Sequence, residues 1–220
     1  MKTWMVIAAM VLFIAGCCSL PPERVSYRNV ITVDPVQARE GFASLLPQQF
    51  SIVDSIVFQY GKKPFSAIGY TEINSLDNMF KAACLNHAGV KLLELKVAGQ
   101  EIKYGYALEE LSAHGDIVQA MATDIRRIYF DRVPSPEAET CKERYQVVYR
   151  EIYNEGILEY VFAGEGPFLI RKTYFEKEKN IWSVSYYKYM EKDGKIYPRE
   201  IVFKHHQYDY RLTIKLKEIR

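Results

Sequence analysis

The residues whose types and spacing suggest catalysis are few. Cys84 and His87 are close in sequence, and a thiol beside an imidazole is a pair used in nucleophilic catalysis. However, the pattern predicts Cys84 on a strand and His87 in the adjoining turn, with no carboxylate placed to orient the imidazole. His205 and His206 are adjacent, so on a strand they face opposite sides and cannot bind one metal ion together. We therefore expect no enzyme activity, no metal ion and no cofactor.

Cys84 also allows a second kind of chemistry, a disulfide with Cys141. In an oxidising compartment the two thiols can pair, and closing so long a loop would add up to about 4 kcal/mol of stability. The alternative is two buried free thiols, which is the commoner state of isolated cysteines. The sequence leaves both alternatives open.

A third cysteine carries the strongest chemical signal. After Lys2, the mostly apolar run Trp4–Ala15 is too short to span a bilayer, which needs about 20 residues, but it is typical of a secretory signal. The run ends in Ile14-Ala15-Gly16-Cys17, which resembles the bacterial lipobox. The alternative is a plain signal followed by two chance cysteines, Cys17 and Cys18.

The lipobox interpretation makes Met1–Gly16 a lipoprotein signal peptide and Cys17 the site of lipid attachment. Its sulfur would receive diacylglycerol, and two or more acyl chains such as palmitate give stable membrane attachment. Residues 17–33 would then be a lipidated tether, and residues 34–220 the domain. In enteric bacteria an Asp after the lipidated Cys marks retention in the inner membrane. Here Cys18 follows, which favours the outer membrane, with the domain facing the periplasm.

Composition and periodicity favour a mainly β domain. Aromatic residues make up 14% of the chain, and they pack well on pleated strands. The formal charge of +2 gives no basic excess for binding nucleic acid. Lysines interleaved with acidic residues between Lys172 and Lys195 are most simply a solvated face, although they would also suit anionic headgroups. About eleven antiparallel strands are predicted: Phe50–Tyr60, Phe65–Asn74, Met79–Leu85, Val90–Val97, Glu101–Leu108, Arg144–Tyr153, Ile157–Phe162, Phe168–Glu178, Ile181–Glu191, Ile196–His205 and Tyr208–Lys217.

Two helices are expected among these strands. Asp34 as N-cap and Pro35 at the first helical position predict a helix start, and Pro47 predicts its end. His114–Phe130 carries an apolar stripe at helical spacing, followed by a polar loop to Thr140. So many strands in series curl into a barrel or split into a sandwich. The stripe of the second helix would be buried on the concave face of the curved sheet.

This order of elements resembles the LolA/LolB-like superfamily of periplasmic lipoprotein carriers and outer-membrane lipoprotein receptors. The most specific stretches are Met79–Ile102 and Trp182–Leu216, and His114–Phe130 falls where the family has its lid helix. The resemblance implies an incomplete antiparallel β-barrel, α+β overall, with an N-terminal helix and a lid helix. One departure is Ala88 in the turn Asn86–Gly89, where the receptor presents an exposed Leu.

Two functions follow from the pattern. The first is binding or transfer of lipid acyl chains, or of a lipidated polypeptide, in an apolar cavity whose wall includes Ile117, Met121 and Ile125. The second is a structural or scaffolding envelope lipoprotein with a filled barrel, acting through a protein partner. Inward Tyr and Phe side chains can fill a barrel or line a cavity, so the sequence does not choose between them.

Overall fold

The computed structural model describes residues 33–107, 117–164, 166 and 168–220. The predicted signal peptide Met1–Gly16, the lipid-attachment residue Cys17 and the tether as far as residue 32 lie outside the described residues. Among the described residues, neither helix is long and apolar enough to cross a membrane. The helices are α1 (Pro35–Leu45) and α2 (Ile117–Tyr129). The strands are β1 (Gln49–Tyr60), β2 (Lys63–Asn74), β3 (Met79–Leu85), β4 (Lys91–Ala98), β5 (Glu101–Ala107), β6 (Glu139–Lys142), β7 (Gln146–Tyr153), β8 (Gly156–Ala163), β9 (Phe168–Glu176), β10 (Lys179–Lys192), β11 (Lys195–His205) and β12 (Tyr210–Ile219).

All twelve strands form one antiparallel sheet. Its order is β5-β4-β3-β2-β1-β12-β11-β10-β9-β8-β7-β6, so two meanders are joined where β1 pairs with β12. β5 and β6 are left as the two edges, and the sheet does not close between them. The expected incomplete antiparallel barrel is therefore confirmed. The chain passes from one edge to the other through α2.

β6 is the strand that raises the number from eleven to twelve. The sequence predicts a polar loop up to Thr140, but Glu139–Lys142 pairs with β7. All four residues of β6 are exposed. A short, exposed edge strand lacks the alternation of apolar and polar residues that reveals a half-buried strand.

α1 begins as the sequence predicts. The Asp34 side chain accepts a hydrogen bond from the Val36 amide at 3.1 Å, and Pro35 occupies the first turn. Phe42 is the buried anchor of this helix, and its ring meets Phe162 and Phe168 at centroid distances of 5.2 and 6.1 Å. α1 therefore packs on the inner surface of β8 and β9.

α2 packs against strands from both meanders. The ring of Phe130, just after α2, lies 5.9 Å from that of Phe80 on β3, and the Phe130 carbonyl accepts a hydrogen bond from Lys172 on β9 at 2.9 Å. β3 and β9 are six positions apart in the sheet, which would be about 29 Å if the sheet were flat. An α-helix with its side chains is only about 10–12 Å wide. The sheet therefore curves around α2, which lies on the concave face.

Candidate functional site

The sequence predicts that an apolar guest would bind on the concave face, so the contacts of α2 define the candidate site. Its last two turns carry a cluster of polar contacts to the sheet. Tyr210 on β12 donates a hydrogen bond to Asp124 Oδ2 at 2.5 Å, and the Arg127 guanidinium lies 3.1 Å from Asp124 Oδ1. Arg126 donates to the carbonyl of Gly99 in the β4–β5 hairpin. Burial raises the pKa of the Asp124 carboxyl, while Tyr210 and Arg127 oppose that shift.

The end of α2 is held by two further buried donors. Tyr186 on β10 donates to the carbonyl of Ile128 at 2.7 Å. Lys172 Nζ donates to the carbonyls of Phe130 and Asp131 at 2.9 and 3.2 Å. The last carbonyls of a helix have no intrahelical partner, so these side chains satisfy groups that would otherwise be unpaired. Burial lowers the pKa of Lys172 to about 7, with Asp131 opposing.

We expect Tyr186→Phe to lower the free energy of unfolding by about 1–2 kcal/mol, because the buried Ile128 carbonyl loses its donor. Urea unfolding at pH 7 measures this, with Tyr60→Phe as the control because Tyr60 is 63% exposed. A loss no larger than that of the control would show that the hydrogen bond does not hold the helix end.

The three predicted wall residues lie along α2, with Ile117 at its start, Met121 one turn later and Ile125 in the last two turns. Met121 and Ile125 are half-buried and pack against the hydrophobic core, and Ile117 is half-buried at the start of the helix. All three contribute to one face of the helix, as the apolar stripe predicts. The structure thus brings Met121 and Ile125 to the concave face of the sheet. Their role in binding stays a prediction.

The interior between the helices and the sheet is largely filled. Tyr149, Tyr160, Tyr186, Phe162 and Phe203 are at most 2% exposed, so these aromatic rings fill the half-barrel. Among the residues that the structure describes, an apolar cavity of about 20 Å³ lies between the end of α2 and the strands β1, β11 and β12. That volume holds about one water molecule. This cavity is too small for an acyl chain.

An acidic and a basic residue, Asp54 and Arg132, line this small cavity. Asp54 on β1 is 3% exposed and accepts a hydrogen bond from Tyr129 at 3.3 Å. Burial raises the pKa of Asp54 to about 7, and the hydrogen bond from Tyr129 opposes the shift. The sequence pattern does not predict Asp54 or Lys172 as site residues. The sequence signal that could have identified them is a charged residue at an inward position of a strand face whose other residues are apolar.

The cysteines give no support to catalysis. Burial raises the pKa of the Cys84 thiol to about 11, which is the wrong direction for a nucleophile. His87 is exposed and its Nε2 lies 3.0 Å from the Ser66 hydroxyl. Cys84 and Cys141 are both free thiols, so the candidate disulfide is not formed. Cys84 lies on β3 and Cys141 on β6, and these strands are not neighbours in the sheet.

The two adjacent histidines point to opposite sides, as predicted. His205 is buried and its ring stacks near Tyr210, with centroids 5.2 Å apart. His206 is exposed and its Nε2 lies 3.0 Å from the Ser183 hydroxyl. Burial lowers the pKa of His205 to about 4. Within the part of the chain that the structure describes, no three His, Cys, Asp or Glu residues converge as metal ligands.

The turn between β3 and β4 presents little apolar surface at its tip. The Asn86 side chain accepts hydrogen bonds from the amides of Ala88 and Val90 at 3.0 and 2.9 Å, and Gly89 has a φ of +81°. Ala88 is exposed, as is Val90 at 53%. This turn is therefore ordered by Asn86; Ala88 offers less apolar surface there than a Leu would, and Val90 is the exposed apolar side chain beside it.

The expected LolA/LolB-like fold, an open antiparallel sheet wrapped around an amphipathic helix, is shared with solved structures. A LolA superfamily protein from Nitrosomonas europaea is similar with a TM-score of 0.54 and 7% identity, over 86% of this chain and 93% of that one. An outer-membrane lipoprotein-sorting protein domain from Vibrio parahaemolyticus matches with a TM-score of 0.54 and 4% identity, over 84% and 91%. A DUF1329 family protein from Desulfovibrio piger matches with a TM-score of 0.55 and 11% identity, over 85% and 93%.

Sequence comparison identifies the particular family. Residues 51–218 match the family described as "Protein of unknown function (DUF3261)", and the chain belongs to it. The match runs from β1 to β12 and includes both edges of the sheet. No functionally curated protein matches the sequence.

Proposed function

We propose that this protein binds the acyl chains of a lipid, or of a lipidated polypeptide, between α2 and the concave face of the sheet, as a lipoprotein of the outer membrane facing the periplasm. The observation that carries the proposal is the placement of α2, an amphipathic helix with an apolar stripe, across the concave face of an unclosed sheet. Both surfaces that would enclose a guest are apolar. The similarity to lipoprotein-sorting and LolA superfamily proteins supports it.

Binding would work by exchange of apolar contacts. Met121 and Ile125 meet the core through aliphatic side chains, which an acyl chain can replace at little net cost. Each buried methylene contributes about 0.8 kcal/mol, so ten methylenes would contribute about 8 kcal/mol toward displacing the helix. The polar contacts of Asp124, Ile128 and Phe130 would keep the end of α2, including Ile125, attached while the turns that carry Ile117 and Met121 move.

Lipid attachment at Cys17 is part of the same proposal. The sequence Ile14-Ala15-Gly16-Cys17 supports it, and the tether of residues 17–33 would place the domain close to the membrane. We expect palmitate labelling of the full-length chain in a bacterial host, and its loss in Cys17→Ser. Labelling that persists in Cys17→Ser would contradict this site.

Acyl binding is tested with the mature polypeptide without its lipid, residues 19–220. Met121→Trp adds bulk beneath α2, and Ala120→Trp adds the same ring to the exposed side of the helix. We expect at least tenfold weaker uptake of a fluorescent fatty acid by Met121→Trp, and uptake by Ala120→Trp within twofold of the unmodified protein. Fluorescence titration measures both.

Ile125→Ala is a second variant, which tests the same wall by enlarging the space under α2 and not by filling it. Removing methyl groups from the same wall enlarges the space under α2, so its uptake should equal or exceed that of the unmodified protein. Circular dichroism shows that each variant is folded. If folded Met121→Trp and Ala120→Trp take up the probe equally, the acyl chain does not bind under α2.

The second candidate is a scaffolding envelope lipoprotein with a filled barrel. The small cavity volume of about 20 Å³ favours it, as does the exposed apolar pair Ile152 and Ile157 on the β7–β8 hairpin, at 88% and 46% exposure. The same titration decides between the two candidates. No uptake by the unmodified protein or by Ile125→Ala would favour the filled barrel, and the hairpin would then be the surface to test for a protein partner. Neither candidate involves catalysis.

A further inference from the structure

A groove of about 460 Å³ runs across the outer face of the sheet, over strands β8 to β12. It lies on the side opposite α2, because Ser183, Ser185 and Tyr187 line it while Trp182, Val184 and Tyr186 alternate with them and face the core. Its volume is in the range of small-molecule sites, about 300–1,000 Å³. The groove is separate from the proposed acyl-binding face.

Small side chains make the floor of the groove. Ser183 and Ser185 on β10 are half-buried, and Thr173 on β9 is only 3% exposed. They lie side by side, since Ser183 pairs with Thr173 and Ser185 pairs with Arg171 across β9 and β10. The Ser183 hydroxyl is hydrogen-bonded to His206 Nε2 at 3.0 Å, so Ser185 and Thr173 supply the hydroxyl groups that can donate hydrogen bonds to an anion.

Three cations surround this floor. Lys204 on β11 and Arg211 on β12 are direct cross-strand partners, and Arg171 approaches from β9 on the other side. β9 and β11 are two strand spacings apart, about 10 Å, which long side chains can bridge toward a common centre. All three residues are exposed. Within the described part of the chain, none of the three forms a salt bridge or a side-chain hydrogen bond.

The one carboxylate in the lining is already paired. Glu159 on β8 forms a salt bridge with Arg150 on β7, with distances of 2.8 and 2.9 Å to the same oxygen. The next carboxylate, Glu200, is buried opposite Lys215 and Tyr187. The lining therefore has an excess of positive charge.

The facing pair Lys204 and Arg211 is unfavourable by itself, because like charges directly opposite on adjacent strands repel. An anion between them would turn this repulsion into attraction. Phosphate suits the site, because guanidinium groups and lysine bind its oxygens and the hydroxyl floor can complete the hydrogen bonds. We propose that this outer groove binds a phosphate ester, either the headgroup of an anionic phospholipid or a soluble phosphorylated compound.

The test uses the mature polypeptide without its lipid, so that the anchor does not attach it to vesicles. Glycerol 3-phosphate is titrated calorimetrically, and cosedimentation is measured with vesicles of phosphatidylglycerol in phosphatidylcholine and of phosphatidylcholine alone. The test variant replaces the three groove cations: Arg171→Gln, Lys204→Gln and Arg211→Gln. The control removes the same charge from exposed lysines elsewhere: Lys62→Gln, Lys96→Gln and Lys142→Gln.

We expect binding of the anionic ligand to fall at least tenfold in the groove variant and to stay within twofold in the control. Cosedimentation with phosphatidylglycerol vesicles that glycerol 3-phosphate displaces would identify a lipid headgroup as the ligand. Calorimetric binding without cosedimentation would identify a soluble phosphate ester. Equal binding by the two variants, or no binding of either ligand, would overturn the proposal. Fatty-acid uptake under α2 should be unchanged in the groove variant, so the two proposals fail independently.

Discussion

Asp54→Asn is expected to stabilise the protein at pH 8 by up to about 4 kcal/mol, and to have almost no effect at pH 4. The Asp54 carboxyl is buried, and its pKa rises from 3.8 to about 7 on folding, a difference of about three units at 1.36 kcal/mol each. Because the pKa is raised, the folded state holds the proton more tightly, and the free energy of unfolding falls as the pH rises from about 4 to 7. Asparagine keeps an acceptor for Tyr129 and carries no charge.

Chemical unfolding of both proteins at pH 4, 6 and 8 measures this difference. Lys172 has a lowered pKa of about 7, so its burial penalty is relieved as the pH rises above 7, and it acts in the opposite direction. Both proteins retain Lys172, so their difference isolates Asp54. Asp209→Asn is the control because Asp209 is exposed. A difference that does not change with pH would show that the Asp54 carboxyl is not the titrating group.

Phe42→Ala is expected to lower the free energy of unfolding by about 3–5 kcal/mol, the range found for a buried aromatic residue replaced by alanine. Phe42 is 1% exposed, and its ring contacts Phe162, Phe168 and Tyr189 at centroid distances of 5.2, 6.1 and 6.2 Å. It is the main side chain that fixes α1 to the sheet. Unfolding in guanidinium chloride measures the loss.

Val36→Ala is the matched control on the same helix, because Val36 is 49% exposed. It should change the free energy of unfolding by less than about 1 kcal/mol. A loss from Phe42→Ala as small as that of Val36→Ala would mean that α1 is not part of the cooperative core.

Much of the fold was predictable because its signals are local. Asp34 and Pro35 specify the start of α1, and the alternation Tyr208 to Leu216 specifies the last strand. The exception is β6, whose four exposed residues pair with β7 although no pattern marks them. Pairing of a polar edge strand depends on its neighbour and not on its own sequence.

The candidate site was less predictable, because it depends on packing across distant strands. Lys172 was grouped with surface lysines, yet it is 1% exposed and holds the end of α2. Whether inward rings line a cavity or fill it is decided by their volumes in three dimensions, as with Tyr149 and Phe162. The outer groove joins Arg171, Lys204 and Arg211, which are separate in sequence and meet only through the register of the sheet.

The pairing of β1 with β12 also determines how this chain must fold. Tyr60 pairs with Tyr210, which lies 150 residues later. All the remaining strand pairings of this sheet join strands that are consecutive in sequence. Each meander can form from local contacts, but the junction between them must wait for the last strand, and contacts so distant in sequence slow folding. Until β12 is available, the edge of β1 that pairs with it stays unpaired. The topology therefore predicts a slow final folding step, in which β12 pairs with β1.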